Sequence, residues 1–449
     1  MPTALIILAA GQGTRMNSDL PKVLHPLAGV PLFAHALAAG AALEPQRTIL
    51  VTGHGGEAVA KAAHQIDPEI EIVHQREQLG TGHAVLQARD LLAGFKGDVV
   101  VLYGDTPFIR PETLAAMAEA RTEFDVVALG FEAADPARYG RLVMDGDALQ
   151  RIVEYKDATP EERAITFCNS GIKMASSETI FKLLDGIEND NAAAEYYLTD
   201  IVRLANASGL TATAVTCDEA ETLGINTRAE LAAAEAAFQA RARAAALENG
   251  TTLIAPETVF FAHDTHLGRD VIVEPNVVFG PGVTVETGAR IRAFSHLEGA
   301  HVGAGAIIGP YARLRPGAEI ANTAHIGNFV EIKNAEIGEG AKVNHLSYIG
   351  DASIGEATNI GAGTITCNYD GVMKHRTEIG ARAFIGSDTM FIAPVKIGDG
   401  AMTATGTVVT RDVPAGALAI GRPEMQIKDG LARKLFDKLK AVKAARQKG

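Results

Sequence analysis

The stretch EIGEGAKVNHLSYIGDASIGEATNIGAG, Glu336 to Gly363, decides the fold of the second half of the chain. Ile337, Val343 and Ile349 fall six apart, and Ile354 and Ile360 repeat the step. Glycine follows Ile337, Ile349, Ile354 and Ile360. Hexapeptide periodicity of this kind is the signature of a parallel β-helix. Each hexad supplies a short strand and a turn, and the recurrent aliphatic residue points inward. Stacked coils then bury a continuous column.

The spacing extends outward from this stretch. Upstream, Leu267, Val273, Phe279, Val285, Ile291 and Leu297 are six apart. After a slip of one residue the series resumes with Val302, Ile308, Leu314, Ile320, Ile326 and Ile332. Downstream it returns with Ile379, Ile385, Phe391 and Ile397. Chance alternation does not hold such a register over about twenty hexads. The segment CNYDGVMKHRTE, residues 367–378, interrupts the solenoid. Loops that leave a regular scaffold are where function tends to sit.

The first half reads differently. LIILAAGQGTRM, Leu5 to Met16, is a continuous apolar run that empties into glycines, as a strand buried on both faces does. TILVTGHG, DVVVLYGDTP and FDVVALGF read as further strands. PLFAHALAAGAAL, EAVAKAAHQ and PETLAAMAEAR read as helices. This rhythm predicts a mostly parallel sheet with helices on both faces. Residues 228–248 are nearly all strong helix formers, and Asn249-Gly250 supplies a stop. The expected organisation is an α/β domain over 1–227, a joining helix over 228–249 and a hexapeptide-repeat domain over 250–449 with a basic tail. From Lys428 onward that tail carries Lys and Arg against only Asp429 and Asp437.

Composition bounds the function. The net charge of −13 argues against a general nucleic-acid binder. Three cysteines, none in a C-x-x-C pair, read as reduced thiols. No apolar run approaches the roughly 20 residues of a membrane helix. These features lead to the expectation of a cytoplasmic protein with no membrane insertion.

A strand feeding a glycine-rich turn presents backbone N–H groups at the carboxyl end of a parallel sheet, where such folds bind ligands. Arg15 and Lys22 can neutralise a triphosphate and its leaving pyrophosphate. The turn is not a Walker A loop, since no Gly-Lys-Ser/Thr follows. Nor is it a dinucleotide fingerprint, since Met16 stands at the third glycine position. Asp105, ending the VVVLYGD strand, is a natural hard-oxygen ligand for Mg²⁺.

LAAGQGTRM followed by Pro21-Lys22 matches the sugar-phosphate nucleotidylyltransferase signature. QLGTGHA (78–84), YGDTP (103–107), YGRLV (139–143), VEYKDA (153–158), CNSGI (168–172), EYYLTD (195–200) and LGINT (223–227) follow in that family's order. With the hexapeptide half, residues 3–428 resemble the bacterial bifunctional N-acetylglucosamine-1-phosphate uridylyltransferase/glucosamine-1-phosphate N-acetyltransferases. The resemblance implies a Rossmann-like α/β nucleotidyltransferase domain, a C-terminal left-handed parallel β-helix and a homotrimer. It implies UTP, sugar-1-phosphates and acetyl-CoA as substrates, with a product that feeds cell-wall precursors. Asn226 would join Asp105 at the metal. Leu8, Ala9, Ala10, Gly11, Gln75, Gly80 and Thr81 would hold the uridine, with Tyr103 and Gly104 flanking the metal. Gly140, Glu154 and Asn169 would receive the sugar, and Glu195 and Tyr197 are further candidates. Gln12 stands where the family commonly has Lys.

In the second half the resemblance points to KVNHLSYIGD and makes His345 the general base. Amide formation needs a neutral amine, and His can accept its proton near neutral pH. Arg315 and Lys333, eighteen apart, would line one basic strip. Together with Tyr348, Asn359 and Lys374 they would bind glucosamine-1-phosphate. Ala362, Asn368, Tyr369, Ser387, Thr405 and Arg422 would meet acetyl-CoA or the reacting centre, with Asn368 a candidate for steadying His345 or the oxyanion. Thr405 stands where many members have Ala. The competing reading is a single-activity nucleotidylyltransferase whose β-helix is structural. It predicts no general base in the solenoid.

Overall fold

The computed structural model describes residues 1–447; Lys448 and Gly449, the end of the basic tail, lie outside the described residues. The chain forms two compact units. One comprises Met1–Ala244 with Phe261–His263; the other comprises Ala245–Phe260 with Asp264–Gly449.

The first unit is built on nine strands: β1 (Thr3–Ala9), β2 (Arg47–Thr52), β3 (Glu71–His74), β4 (Asp98–Tyr103), β5 (Val126–Glu132), β6 (Arg141–Asp145), β7 (Ala148–Val153), β8 (Phe167–Ser176) and β9 (Ala212–Cys217). The main sheet runs β9-β5-β8-β4-β1-β2-β3. All pairs along it are parallel except those of β8, which is antiparallel to β4 and β5. The hairpin β6–β7 attaches through β8. Helices α1 (Leu32–Ala41), α2 (Gly56–Ile66), α3 (Thr81–Leu86), α4 (Pro111–Ala120), α5 (Ser177–Leu184) and α6 (Asp200–Ala207) complete it. Every residue of β1 is buried, because helices cover both faces of the sheet. Ala4, Ile6 and Leu8 enter one core, and Leu5, Ile7 and Ala9 enter the other. The apolar run therefore reads as continuous, not alternating.

Helix α7 (Arg228–Glu248) is the expected alanine-rich helix. Its first half packs on the first unit. Ala234 is buried in a cluster with Leu27, Leu32, Phe108 and Ile225, and Glu235 accepts a hydrogen bond from the Ala28 N–H.

The second unit is a parallel β-helix. Its strands stack along three faces, and the inward residues form three columns. One runs Leu267, Val285, Val302, Ile320, Ile337, Ile354, Ile379 and Ile397. A second runs Val273, Ile291, Ile308, Ile326, Val343, Ile360, Ile385 and Thr403. The third runs Phe279, Leu297, Leu314, Ile332, Ile349, then Phe391 and Val409. Thr366 takes a core place in the third column and is 1% exposed. Its hydroxyl is bonded to the Gly350 N–H and carbonyl at 2.8 and 3.0 Å, which satisfies it in the interior. Parallel strands and hexapeptide repeats are consistent with the left-handed β-helix expected. The glycines after the aliphatic residues have a steric cause. At Gly327 a Cβ would stand 2.0 Å from the Asn344 carbonyl oxygen of the next coil. Helix α8 (Leu431–Arg446) follows the last coil, with no buried residue.

Candidate functional site

Two clusters of polar side chains stand out, one in each unit. The first lies where β1 and β4 end. Their parallel register sets Leu8 beside Tyr103, so the turn from Ala10 to Gly11 emerges next to Gly104 and Asp105. The Gly104 N–H donates to the Leu8 carbonyl at 3.0 Å. Leu8, Ala9, Ala10, Gly11, Lys22, Gln75, Gly80, Thr81, Tyr103 and Asp105 line one cavity of about 290 Å³. Gln78, Glu195, Val23 and Ala84 share its wall. Gln78 was not singled out from the sequence; its Nε2 donates to the Ala10 carbonyl at 2.8 Å. Gly80 has φ +111, and a Cβ there would meet the Tyr196 backbone at 2.7 Å, so only glycine fits. Arg15 is exposed on the turn Thr14–Met16 and is not among the residues lining the cavity.

Lys22 reaches this cavity because Gly13 lets the turn close over it: a Gly13 Cβ would lie 2.6 Å from Lys22 Cβ. Lys22 Nζ forms an ion pair with Asp105 and donates to Asn226 Oδ1 at 3.0 Å. Two hard oxygens thus converge on one cationic centre. That donor set would suit a hard cation such as Mg²⁺, which prefers oxygen ligands. Among the described residues no group of three or more His, Cys, Asp or Glu could hold a metal ion.

Further along, the Asn169 N–H donates to the Gly140 carbonyl at 2.9 Å, and the Glu154 carboxylate stands 3.4 Å from where a Gly140 Cβ would be. Thr199 Oγ1 donates to Glu154 at 3.3 Å. Burial raises the Glu154 carboxyl above its ordinary value, against the pull of the Lys173 ammonium. Burial also raises the Tyr103 phenol strongly, reinforced by the charges of Glu154 and Asp105. Lys173 is fully buried, and burial lowers its ammonium to about 7. Nothing in the CNSGI motif marks the following lysine as interior; a lysine in a strand reads as solvent-facing.

The second cluster sits in the β-helix. His345 ends the strand Lys342–His345, and its Nδ1 lies 2.8 Å from Asn328 Oδ1 on the preceding coil. An amide oxygen accepts from an N–H, which assigns the proton to Nδ1 and leaves the Nε2 lone pair outward. Asn328 was not expected from the sequence. Its pairing with His345 comes from the seventeen-residue coil in this part of the helix, which only the stacking reveals.

The corner at His345 continues coil by coil. The Asp388 N–H donates to the Ala362 carbonyl at 2.7 Å and the Gly406 N–H to the Ser387 carbonyl at 2.8 Å. Arg422 Nη1 donates to the Thr405 carbonyl. Ala362, Ser387, Thr405 and Arg422 therefore form one ladder. On the adjoining face Arg315 pairs with Glu331 at 2.8 Å, and Glu331 stacks on Tyr348. Lys374 faces Lys333, whose ammonium lowers it from its ordinary value. Asp351 lies beneath. Burial would raise it, but hydrogen bonds from Asn334 and Asn368 and the nearby Lys333 and Lys374 hold it below the usual carboxylate range.

Three expected residues are placed differently within this chain. Asn368 does not reach His345; its amide donates to Asp351 and, at 3.4 Å, to the Tyr348 hydroxyl, because that buried carboxylate takes the nearest donor. Asn359 lies in the strand Asn359–Ile360, beside Lys342 on the second face, away from the Arg315–Lys333 strip. Tyr369 is 61% exposed and bonds within its own loop, to the Gly371 carbonyl at 2.6 Å. That loop is tied by Asp370, which accepts from His375 and from the Val372 and Met373 N–H groups, and these bonds hold its carboxyl far below the ordinary value.

Comparison with known proteins follows the same division. Residues 5–167 match the MobA-like NTP transferase domain, and residues 299–334 match the bacterial transferase hexapeptide repeats. The chain is 69% identical to the bifunctional protein GlmU of Ruegeria sp. (strain TM1040) over 449 residues, all of both chains. It is 66% identical over 447 residues to that of Jannaschia sp. (strain CCS1), covering 100% of this chain and 98% of the relative. The GlmU protein of Paracoccus denitrificans (strain Pd 1222) is 63% identical over 442 residues, 98% of this chain and 99% of the relative.

Proposed function

The chain belongs to the bifunctional GlmU family, and from that premise we propose how its two residue clusters divide the work. The protein is an enzyme with two activities that together make UDP-N-acetylglucosamine. One transfers acetyl from acetyl-CoA to glucosamine-1-phosphate, and the other transfers uridylyl from UTP to N-acetylglucosamine-1-phosphate with release of pyrophosphate.

Uridylyl transfer needs alignment and charge neutralisation, not a covalent catalyst. The Leu8–Gly11 backbone, Gln75, Gly80 and Thr81 hold the uridine, whose imide edge can match amide donors and acceptors. Lys22 neutralises the phosphates, with Arg15 on the exposed turn as a second cation. Asp105 and Asn226 would hold the metal, Mg²⁺ by their donor chemistry, which would supply charge neutralisation to the triphosphate. Gly140, Glu154 and Asn169 orient the sugar so that its phosphate oxygen lines up with the α-phosphorus.

Acetyl transfer falls to the β-helix. Arg315, Lys333 and Lys374, beside Tyr348, present cationic groups to the sugar phosphate. His345 Nε2 accepts the proton of the sugar amine as it attacks the thioester carbonyl, while Nδ1–H stays on Asn328. The ladder of Ala362, Ser387, Thr405 and Arg422 carries the coenzyme. Asn368 joins this site through the Tyr348 hydroxyl, Asn359 and Tyr369 would join it from another copy, and the hexapeptide repeats support assembly of copies as a homotrimer. UTP and acetyl-CoA as substrates support a cytoplasmic setting, and no helix among the described residues is long and apolar enough to cross a membrane.

The single observation that carries the acetyltransferase reading is the Asn328–His345 hydrogen bond, which leaves the other ring nitrogen of an exposed histidine free to act as a base. A structural β-helix has no use for it. Purified protein given acetyl-CoA and glucosamine-1-phosphate should release free thiol. His345→Ala should abolish that release and spare uridylyl transfer, and Asp105→Ala should do the reverse. If each substitution disabled both activities in folded protein, the division would be wrong.

A further inference from the structure

A fully buried lysine sits under the sugar end of the uridylyl-transfer site. Lys173 is on β8, where the pairing with β5 shifts register between Asn169 and Lys173. Its side chain folds back under this bulge. Nζ donates to Asn169 Oδ1 at 2.7 Å and to the Gly171 and Ile172 carbonyls at 3.1 and 3.3 Å. Asn169 Oδ1 also accepts the Gly171 N–H at 3.1 Å. Both acceptor sites of that amide oxygen are therefore used. No hydrogen bond from Asn169 Nδ2 occurs among the described residues.

We propose that Lys173 is a positioning residue for the sugar-1-phosphate: by saturating Asn169 Oδ1 it turns the amide so that its NH₂ donates to an acceptor on the sugar, opposite the hydroxyl-accepting carboxylate of Glu154. This rests on reading Gly140, Glu154 and Asn169 as the sugar end. An isolated amide could present either end to the ligand. A cationic donor behind it removes that choice, since a flipped amide would set its NH₂ against an ammonium. The same ammonium opposes the burial that raises the Glu154 carboxyl. One buried charge thus sets a donor on one wall and preserves an acceptor on the other.

The charged group facing Lys173 is Glu154 after β7; Asp157, Asp200 on α6 and Tyr103 on β4 face Glu154 in turn. Burial raises Glu154 and Tyr103 and lowers Lys173 to about 7. Loss of the lysine proton just above neutrality should therefore weaken the sugar end alone.

The test uses the full-length enzyme with UTP and N-acetylglucosamine-1-phosphate titrated separately. Lys173→Met should raise the KM for the sugar phosphate roughly tenfold or more, the scale of a lost charged hydrogen bond. The KM for UTP and the rate of acetyl transfer should not change. Lys173→Gln, which keeps a donor, should recover part of the loss. In the wild-type enzyme the sugar-phosphate KM should climb between about pH 7 and 9 while the UTP KM stays level. An unchanged sugar-phosphate KM in a folded Lys173→Met enzyme, or equal loss for both substrates, overturns the proposal. Should that variant not fold, a level wild-type pH profile overturns it. Glu154→Gln and Asn169→Ala separate the two levels. If they leave the sugar-phosphate KM unchanged, the sugar-end reading itself fails; if they raise it and Lys173→Met does not, only the role of Lys173 falls.

Discussion

Single residues in this protein act through partners that lie far away in sequence. His345 illustrates it. Its motif is legible in KVNHLSYIGD, yet its orientation depends on Asn328, one coil earlier. Asn328→Ala should cut acetyl transfer by about ten- to a hundredfold, less than the roughly hundred- to ten-thousandfold that the general base itself supplies, and leave uridylyl transfer unaffected; steady-state thiol release measures it. Lys173 makes a second case. Burial lowers it to about 7, while in the unfolded chain it titrates near the ordinary 10.5. Between those values the unfolded state binds more protons, so this group makes stability rise as pH rises. Lys173→Met should flatten that part of the pH dependence of unfolding in the first unit, as followed by denaturant titration. No pattern in CNSGIK announces this lysine, because burial is set by the strands and hairpin that close over it.

Elements obey local rules more strictly. The three columns of the β-helix follow from a six-residue period in which the inward place is aliphatic. Ile349→Ala removes a fully buried side chain and should cost about 2–5 kcal/mol, as cavities in packed cores do. Gly327→Ala should destabilise the same region through a different cause. Its Cβ would run into the Asn344 backbone, and the coils would have to separate. Chemical denaturation monitored on the second unit tests both. The strands of the first unit were legible as well, since apolar runs bounded by glycine have few alternatives. Two features escaped. β8 runs antiparallel within a mostly parallel sheet, which its sequence does not encode locally. Thr366 occupies an aliphatic column, which the column tolerates because the Gly350 backbone satisfies its hydroxyl.

At the scale of the molecule, two units each carry one cluster. The chemistry divides accordingly: mixing His345→Ala enzyme with Asp105→Ala enzyme should restore UDP-N-acetylglucosamine formation from glucosamine-1-phosphate, acetyl-CoA and UTP, as the intermediate passes through solution. Product formation by chromatography checks it, and failure of the mixture would argue for obligatory transfer within one chain. The sequence by itself determined the fold class of both halves, the glycine turn, and Lys22, Asp105 and His345 as candidate residues, because these depend on period, on steric demand or on short motifs. Only the tertiary structure decided that Lys22 pairs with Asp105, that Asn328 bonds His345, that Asn368 bonds Asp351, and that Lys173 is buried against Asn169. Those depend on which coil or strand stacks against which. A hydrogen bond between residues one coil or one bulge apart exists only once the backbone has brought them within about 3 Å.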